Sequence, residues 1–504
     1  MSLPIRTPLL LYFNTIHLEF LLIFIRCIMN KISLTLLSLL FPVFLTGCNN
    51  SDKKEDDQPT QSVDQYIGVW EKIGYGEYLD IGDTQVTRYE ASNDSCIKTH
   101  TFSKTEYLSK LSWTVTGIED DKFSAFLGTN SNTPFTIDKV TALPPSCETP
   151  LTNTPTNVIN HLISMADAYY SFFDARNVDW SAVSEQARSA VTDDMSDEQL
   201  GGVIFQLLSV LEDAHVITYF NPLDLLAPEI DYNYLYPTYR AKTISNQFAA
   251  EYAELQSEQT FEQYTQEQIA IFNNTLLGDV DNLKSHDGKI IWGTKGDIGY
   301  IFVSNLDGFD PSNAGDIFSE AVNPTPHVAA LNVVLDEVIS DLQHTNGIIL
   351  DLRLHSGGTT EMDRNIAQRF IDQDTHYGSF SAPESESTDL ILHPYEGYRF
   401  DQQTVMITSE LNQSSGEDLI MSLKADNNTI QIGEATQGIF SDMLFLSLPN
   451  QWVFSLSNQV WLDKDEISWE TKGLQPDHEV TLYPLSDRQQ GIDSTINKAL
   501  SLLQ

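Results

Sequence analysis

The stretch GIILDLRLHSGG, residues 347–358, has the pattern of a buried strand that runs directly into a pair of glycines. Its opening residues are apolar and β-branched, which is typical of a strand inside a sheet. Glycine at a strand end allows backbone N–H groups to turn toward a ligand, as an oxyanion hole requires. Glycine pairs also end many strands as simple turns, so this stretch alone leaves both interpretations open.

The segments on both sides of this stretch alternate between strand and helix patterns from Lys289 onward. Such strand–turn–helix repeats place loop residues along one edge of a sheet, where sites are usually built. Residues 289–504 are therefore predicted to form an α/β core that carries the functional site. Its predicted strands are KGDIGYIFVSNL, NGIILDLRL, TVMITS, TIQIGE and further ones within 442–482, and its predicted helices are EMDRNIAQRFI and GEDLIMSLKA.

Three different patterns precede the core. Residues 65–150 contain short β runs separated by turn residues, which predicts a small all-β domain. Residues 151–225 are predicted to be a helical lead-in, because apolar positions from Val158 to Phe172 follow the helical period and SDEQ at 196–199 is a capping box. Residues 226–288 are rich in Gln and Glu and are predicted to be a peripheral insertion.

The composition limits the class of function. The chain has 504 residues, of which 41% are hydrophobic and 20% charged, as in soluble globular proteins. Its formal net charge of −43 argues against nucleic-acid binding, which needs clustered Lys and Arg.

Residues 1–47 are nearly free of acidic residues and are predicted to be an export segment outside the fold. The signal peptide is predicted to start at Met29, and residues 1–28 are predicted to be an over-extended start. A transmembrane anchor or an ordinary signal peptide is the alternative, although the apolar run is short for a membrane span.

The quartet Leu45-Thr46-Gly47-Cys48 closes this segment and resembles the lipobox of bacterial lipoproteins. The resemblance implies cleavage before Cys48, a lipid on its sulfur, and a polar, acidic tether over residues 48–64. It also implies an exported lipoprotein that faces the periplasm. Asn49, in place of Asp, is similar to lipoproteins that are passed to the outer membrane.

Two cysteines, Cys96 and Cys147, lie outside the export region. An oxidising compartment makes a disulfide between them plausible. No Cys/His spacing suggests a metal site.

The octet NQSSGEDL, residues 412–419, combines adjacent serines with a glycine and an acidic pair. Ser followed by Glu can simply cap a helix, because the hydroxyl accepts a backbone N–H. The same arrangement can place a nucleophilic serine at a helix N-terminus, beside free amides and the positive end of the helix dipole. The octet alone does not decide between the two.

The order of the motifs carries a specific resemblance. Four motifs follow one another in an order that resembles the family of C-terminal processing peptidases and the tricorn protease core. They are DLRLHSGG, TSELNQSSGEDL, IGEATQG and WETKGLQPDHEV. The resemblance is tightest over residues 345–482, looser over 155–344 and absent from 65–150. It implies a crotonase-like (ClpP/crotonase) α/β core behind a helical layer, with the small all-β domain in front.

The resemblance also implies roles for residues of the octet and the glycine pair. Ser414 takes the nucleophile's position, three residues before the acidic Glu417. The backbone N–H of Ser415 and a glycine of the SGG run would form the oxyanion hole, with Gly357 favoured and Gly358 the alternative.

The resemblance implies a histidine as the base that deprotonates Ser414, because this chain departs from the lysine-using branch of the family. C-terminal processing members use a lysine where this chain has Ile439, whereas the tricorn-like branch uses a histidine and a glutamate, which match His215 and Glu470. A glutamate beside the imidazole would raise the pKa of the histidine above about 6.5. Three alternatives stay open. His215 could be a structural histidine at a helix end, Glu470 could be a surface carboxylate, and His355 could be the base. A base relocated to Lys424, Lys464 or Lys472 stays open as well.

Taken together, these patterns predict a lipid-anchored serine endopeptidase of the cell envelope, acting on peptides or proteins without a cofactor. Asp351 and Arg353 are predicted to be a structural ion pair or hydrogen-bond set that supports the glycine loop. The alternatives are a non-catalytic binding lipoprotein on a peptidase fold and a lipocalin-like carrier with its cavity in 65–150.

Overall fold

The computed structural model describes residues 66–103, 113–115, 121–127, 134–219, 244–255, 259–278, 280–306, 308–310, 324–426 and 428–504. The predicted export segment, the lipidation site Cys48 and the tether over 48–64 lie outside the described residues. Among the residues that are described, no helix is both long and apolar enough to cross a membrane.

The N-terminal region is one antiparallel sheet. Alternate residues of its strands, among them Trp70, Leu79 and Ile137, point into a common core in which the Trp70 and Phe123 rings lie 4.9 Å apart. Cys96 is joined to Cys147 by a disulfide, the pairing considered from the sequence. The strands are β1 Gly68–Lys72, β2 Glu77–Ile81, β3 Gln85–Ala91, β4 Cys96–Ser103, β5 Trp113–Val115, β6 Lys122–Leu127 and β7 Pro134–Val140, in the order β4-β3-β2-β1-β7-β6-β5.

A helical layer follows the sheet. The capping box predicted at Ser196 is confirmed, because its side chain and that of Gln199 each bond to the other's backbone N–H. The structure adds the helix that starts at Trp180, for which the sequence analysis had no signal. The elements are α1 Pro155–Tyr169, α2 Trp180–Ala190, α3 Asp197–Ser209, β8 Thr218–Tyr219, α4 Ile244–Glu254 and α5 Phe261–Leu277.

The remaining elements form the α/β part of the chain. Its strands are β9 Asp281–His286, β10 Ile290–Lys295, β11 Ile298–Val303, β12 Ile348–Asp351, β13 Thr375–Ser381, β14 Thr388–Leu392, β15 Thr404–Thr408, β16 Thr429–Gly433, β17 Met443–Ser447, β18 Val453–Ser457, β19 Val460–Asp463 and β20 His478–Glu479. Its helices are α6 Thr325–Leu342, α7 Thr360–Ala367, α8 Ser415–Lys424, α9 Leu485–Gln490 and α10 Ser494–Leu502.

The central sheet has the order β20-β16-β15-β12-β11-β10-β9. In this sheet β11, β12, β15, β16 and β20 pair with one another in parallel. Strand β10 pairs antiparallel with both β11 and β9. Apolar clusters cover both faces, with α6, α7 and α8 on one side and α10 on the other. Because parallel strands end at the same edge, the loops after β12 and β15 lie side by side, as the sequence pattern predicted.

The central sheet starts at Asp281, within the range predicted to be a peripheral insertion. Strand β9 is mostly exposed and pairs only with β10, so its sequence lacks the apolar pattern of the buried strands.

Two smaller sheets connect the regions, β14-β13-β19 and β17-β18-β8. The helical layer packs on the second of them through a continuous apolar cluster that includes Leu162, Leu207 and Phe454. Strand β8 pairs with β18 at Phe454, and Ser455 Oγ donates to the carbonyl of His215 at 2.6 Å. The fold thereby fixes the segment of His215 to the α/β part of the chain.

The N-terminal sheet is also joined to the α/β part by direct hydrogen bonds. Asn458 Nδ2 donates to the carbonyl of Gly74 at 3.0 Å, and Gln459 Nε2 donates to the hydroxyl of Tyr75 at 2.7 Å. The buried carboxylate of Glu90 accepts from Ser447 N.

Candidate active site

Ser414 lies at a strained turn between β15 and α8. Its φ of 57° and ψ of −136° are unusual for a residue with a side chain. It occupies the N-cap position of α8, but its side chain makes no capping hydrogen bond. The capping interpretation of the octet is therefore wrong for Ser414, and its hydroxyl is available at the start of a helix.

The turn is held by backbone and amide contacts. Ser414 N donates to the carbonyl of Ile439 at 2.8 Å. Asn412 is fully buried and donates through Nδ2 to the carbonyls of Leu352 at 2.6 Å and His355 at 2.8 Å. These bonds tie the serine loop to the glycine loop after β12. Sequence reasoning missed Asn412, although it stands within the quoted octet.

Gly357 lies directly against this turn. Its φ is +91°, and a Cβ added there would lie 2.6 Å from Gln413 O, 3.0 Å from Ser414 Cβ and 3.2 Å from Ser415 N. Only glycine permits this approach. Within the described residues, neither the Ser415 N–H nor the Gly357 N–H has an acceptor. Gly358 is exposed at the surface of the loop, so proximity to the serine favours Gly357 over Gly358 as the donor.

Glu417 supports the neighbouring loop. Its fully buried carboxylate accepts from Gly438 N at 2.8 Å, Ile439 N at 2.6 Å and the Thr436 hydroxyl. Burial raises its pKa to about 7, and these three donors oppose that shift. The acid three residues after Ser414 thus holds the loop whose Ile439 carbonyl binds Ser414 N.

His215 is buried beside the same loop, with 5% of its surface exposed. Its Nδ1 atom is buried without a hydrogen-bond partner. Burial lowers the pKa of His215 below its ordinary value, while the Asp213 charge and a hydrogen bond to the Ser441 backbone oppose the shift. The expectation of a raised pKa is therefore wrong, because desolvation outweighs the nearby negative charge.

Glu470 is also buried, which contradicts its interpretation as a surface carboxylate. Its Oε1 accepts from Arg176 Nη2 at 2.9 Å and its Oε2 from Phe440 N at 2.8 Å. Burial and the nearby Asp213 charge raise the pKa of Glu470 to about 8, although Arg176 and the Phe440 N–H favour the ionised form. Glu470 and His215 share no direct hydrogen bond.

Arg176 connects the two acidic residues of the site. Its Nη2 lies 2.9 Å from Glu470 Oε1 and 3.3 Å from Asp213 Oδ2. Asp213 Oδ1 in turn accepts from His215 N at 2.9 Å, and the Tyr170 hydroxyl donates to Oδ2 at 2.9 Å. Sequence reasoning assigned no role to Arg176 or Asp213. Both residues lie in the range predicted to be the helical lead-in, Arg176 within DARNVDW at 174–180 and Asp213 within LEDAHV at 211–216.

One short segment contacts all three residues predicted to form the triad. The carbonyl of Ile439 accepts from Ser414 N, Phe440 N donates to Glu470 Oε2, and the backbone of Ser441 lies beside the imidazole of His215. Residues 439–441 therefore contact all three residues, Ser414 through its backbone N–H and Glu470 through its carboxylate. The chemistry of such a site is acyl transfer, because it combines a strained serine at a helix N-terminus, unpaired N–H groups and a buried imidazole.

The side chains of the alternative bases are engaged in other contacts. Both ring nitrogens of His355 are occupied, at 2.7 Å from the Ser304 carbonyl and 2.7 Å from Asp363 Oδ1. Lys424 Nζ pairs with Asp477 Oδ1 at 2.9 Å. Lys464 pairs with Asp465, and Lys472 Nζ lies 3.4 Å from the carbonyl of Ser468 in an exposed contact.

The predicted ion pair of Asp351 and Arg353 is confirmed. The two side chains are fully buried with Arg353 Nη2 2.8 Å from Asp351 Oδ2, and Arg353 also reaches Asp493 Oδ2 at 2.9 Å. Within the described ranges, no group of three or more His, Cys, Asp and Glu side chains is placed to hold a metal ion.

Three solved structures are among those similar to this chain. A candidate peptidase from Parabacteroides merdae ATCC 43184 is 19% identical, with a TM-score of 0.51 over 70% of this chain and 97% of that chain. The photosystem II D1 C-terminal processing protease is 13% identical, with a TM-score of 0.40 over 66% and 94% of the two chains. The tricorn protease is 13% identical, with a TM-score of 0.37 over 84% of this chain and 46% of that chain. The similarity to the Parabacteroides merdae protein shows that the two chains share a fold.

No curated protein matches the sequence. The model of peptidase family S41 matches residues 297–480, which include the glycine loop, Ser414, the 439–441 segment and Glu470. The matched region is the one in which the strained serine and the unpaired N–H groups meet. This part of the chain is therefore similar to peptidase family S41, and the protein is a serine-type peptidase.

Proposed function

We propose that the protein is a lipid-anchored serine endopeptidase of the cell envelope, with Ser414 as nucleophile, His215 as base and Glu470 as the supporting carboxylate. Its core is proposed to be of the crotonase type. The observation that carries the proposal is the convergence of Ser414, His215 and Glu470 on residues 439–441.

In this mechanism the Ser414 hydroxyl attacks the peptide carbonyl while His215 accepts its proton. The negative charge that develops on the carbonyl oxygen is stabilised by the N–H groups of Ser415 and Gly357. His215 then donates the proton to the departing amine, and a water molecule hydrolyses the acyl-enzyme by the reverse sequence. The positive φ of Ser414 supports this assignment, since strained turns are common at nucleophiles.

The roles of the acidic residues follow from their contacts. Glu470 binds Phe440 N and so positions the segment whose next residue contacts His215. Asp213 supplies negative charge that favours the imidazolium formed during the reaction. Arg176 holds both carboxylates in place. We therefore assign Glu470 and Arg176 as positioning residues and Asp213 as the electrostatic partner of His215.

A cavity of about 500 Å³ lies beside Gly438 and Ile439. It is the proposed binding site for part of the peptide substrate. It is lined by apolar residues, such as Val178, Val183 and Leu211, together with Gly438 and Ile439. A larger cavity of about 810 Å³ is lined by Asp297 and Asn346, which precede β11 and β12. It therefore lies at the opposite end of these strands from Ser414.

The nucleophile is tested with a fluorophosphonate probe, whose phosphorus is attacked by an activated serine with loss of fluoride. The wild type should be labelled, and peptide mapping should place the label on Ser414. Ser414→Ala should abolish labelling and peptide hydrolysis, leaving at most the small rate that binding and the oxyanion hole supply.

Ser415→Ala is the matched control, because only the backbone N–H of Ser415 is proposed to act and alanine retains it. This variant should keep labelling within a few-fold of the wild-type rate. Equal loss in Ser414→Ala and Ser415→Ala would contradict the assignment of the nucleophile, and an unlabelled wild type would favour a non-catalytic binding protein.

The anchoring is tested by mass spectrometry of the N-terminus of the protein purified from membranes. The proposal expects Cys48 as the first residue, with a diacylglyceryl group on its sulfur. Its motivation is the quartet LTGC at residues 45–48. An unmodified Cys48 inside a longer chain would refute lipid anchoring without affecting the proposed chemistry. Fractionation of inner and outer membranes would then locate the anchored protein.

A further inference from the structure

His355 lies behind the glycine loop and has no part in the mechanism above. Its side chain is fully buried, two residues before Gly357 in the chain. Its Nδ1 lies 2.7 Å from the carbonyl oxygen of Ser304, and its Nε2 lies 2.7 Å from Asp363 Oδ1. Asp363 is also fully buried, and its Oδ2 atom has no hydrogen-bond partner.

These contacts fix the protons of the pair. The Ser304 carbonyl can only accept, so Nδ1 must carry a hydrogen. A neutral imidazole protonated on Nδ1 would then present the Nε2 lone pair to an ionised carboxylate at 2.7 Å, with no hydrogen between them. A second proton must therefore lie between Nε2 and Oδ1, whether it is drawn on the histidine or on the aspartic acid. The pair has no net charge and is bonded at both ring nitrogens.

The imidazole also contacts the start of α8. A Cβ added at Gly416 would lie 3.3 Å from His355 Cδ2, 3.2 Å from the carbonyl of His355 and 3.2 Å from Gly357 N. The same His355 carbonyl accepts from Asn412 Nδ2 at 2.8 Å. His355 therefore connects the end of β11, helix α7, the glycine loop and the first turn after Ser414.

We propose that the hydrogen-bonded pair of His355 and Asp363 positions the Gly357 N–H against the serine turn, so that His355 is a positioning residue for the oxyanion site. The proposal rests on the proposed function, because it presupposes that Gly357 and Ser415 bind the oxyanion. Burial of both side chains makes the pair rigid, since neither can exchange its partner for water. A loop displaced by a few tenths of an ångström would bind the substrate but stabilise the charged intermediate less well.

The test measures fluorophosphonate labelling of Ser414 at several probe concentrations, which separates probe affinity from the rate of the covalent step. His355→Ala should lower the covalent rate about tenfold to a hundredfold, as expected for a weakened oxyanion donor, and leave probe affinity unchanged. Asp363→Asn should stay within about threefold of wild type, because the asparagine amide can donate to Nε2 of a neutral imidazole.

A rescue experiment separates loop positioning from general loss of structure. In His355→Gln the side-chain amide can donate to Ser304, but its oxygen then faces Asp363 and can accept only if the carboxyl group itself keeps the shared proton, which the asparagine amide of the double variant does not require. In the double variant His355→Gln/Asp363→Asn, the glutamine amide can donate to Ser304 and its oxygen can accept from the asparagine. The double variant should therefore label faster than His355→Gln alone, and thermal unfolding of each variant shows whether it is folded.

The proposal is overturned if His355→Ala labels at the wild-type rate, or if the double variant is no faster than His355→Gln. The second comparison stands even if His355→Ala does not fold. Failure of the proposed function has a different signature, namely a wild type without labelling or a Ser414→Ala variant that is labelled as fast as wild type.

Discussion

At the scale of single residues, the site is organised by where charge is buried. Asp213 is fully buried, its carboxylate accepts from His215 N, and its charge counteracts the burial that lowers the pKa of the imidazole. A base must be neutral to accept the proton of Ser414, so a lowered pKa extends activity toward acid. This is useful for a largely buried imidazole, because it stays deprotonated at neutral pH.

The acidic limb of kcat/KM should therefore lie below pH 6.5, the ordinary pKa of histidine. Asp213→Asn removes a charge that favours the imidazolium, so the pKa of His215 should fall further and the limb should move to lower pH. Glu198→Gln is the control, because it also removes one negative charge but at an exposed position on α3. It should leave the acidic limb in place. Profiles of kcat/KM between pH 4 and 8 would decide, and a limb that moves upward in Asp213→Asn would contradict the assignment.

At the scale of secondary-structure elements, the site depends on the close approach of two loops at the end of parallel strands. The loop after β12 brings Gly357, and the loop after β15 brings Ser414, because β12 and β15 are neighbours in the sheet. Asn412 joins the two loops by bonding to carbonyls on the far side. The two loops are consequently so close that only a residue without a side chain fits at position 357.

Gly357→Ala should disrupt this approach in two ways. The methyl group would clash with Gln413 O and the serine turn, and alanine disfavours a φ of +91°. Covalent labelling of Ser414 should fall about a hundredfold or more, as with loss of an oxyanion donor. Gly296→Ala is the matched control, since Gly296 also has a positive φ of +60° but open space around its Cβ. It should cost about 1 kcal/mol of stability and leave labelling intact.

The sequence predicts these loops well because strand patterns and glycine pairs are local signals. The strands around residues 347–358 and 404–408, the helix after Ser414 and the capping box at Ser196 all follow from periodicity and short-range chemistry. The network of Arg176, Asp213 and Glu470 does not, because its members are up to 294 residues apart and their pairing depends on how the helical layer packs. The mostly exposed strand β9 was missed since it lacks an apolar pattern.

At the scale of the whole molecule, the N-terminal sheet is connected to the site through a short chain of hydrogen bonds. The Tyr75 hydroxyl accepts from Gln459 Nε2 at 2.7 Å, and Gln459 N donates to Ser441 Oγ at 2.9 Å. The backbone of Ser441 in turn contacts the imidazole of His215. The sheet lies outside the matched family region, yet only two residues separate Tyr75 from the site histidine along this path.

Tyr75→Phe tests whether this connection matters for catalysis. The change removes one hydrogen-bond partner of a buried amide, since Gln459 is 1% exposed, which should cost about 1–3 kcal/mol of stability. If Gln459 also positions Ser441, kcat should fall several-fold with KM unchanged, because the substrate still binds while His215 is less well oriented. Tyr398→Phe, at a tyrosine that is 64% exposed, should change neither quantity. A Tyr75→Phe enzyme with a lower melting temperature and an unchanged kcat would show that the sheet is attached to the peptidase core without supporting its chemistry.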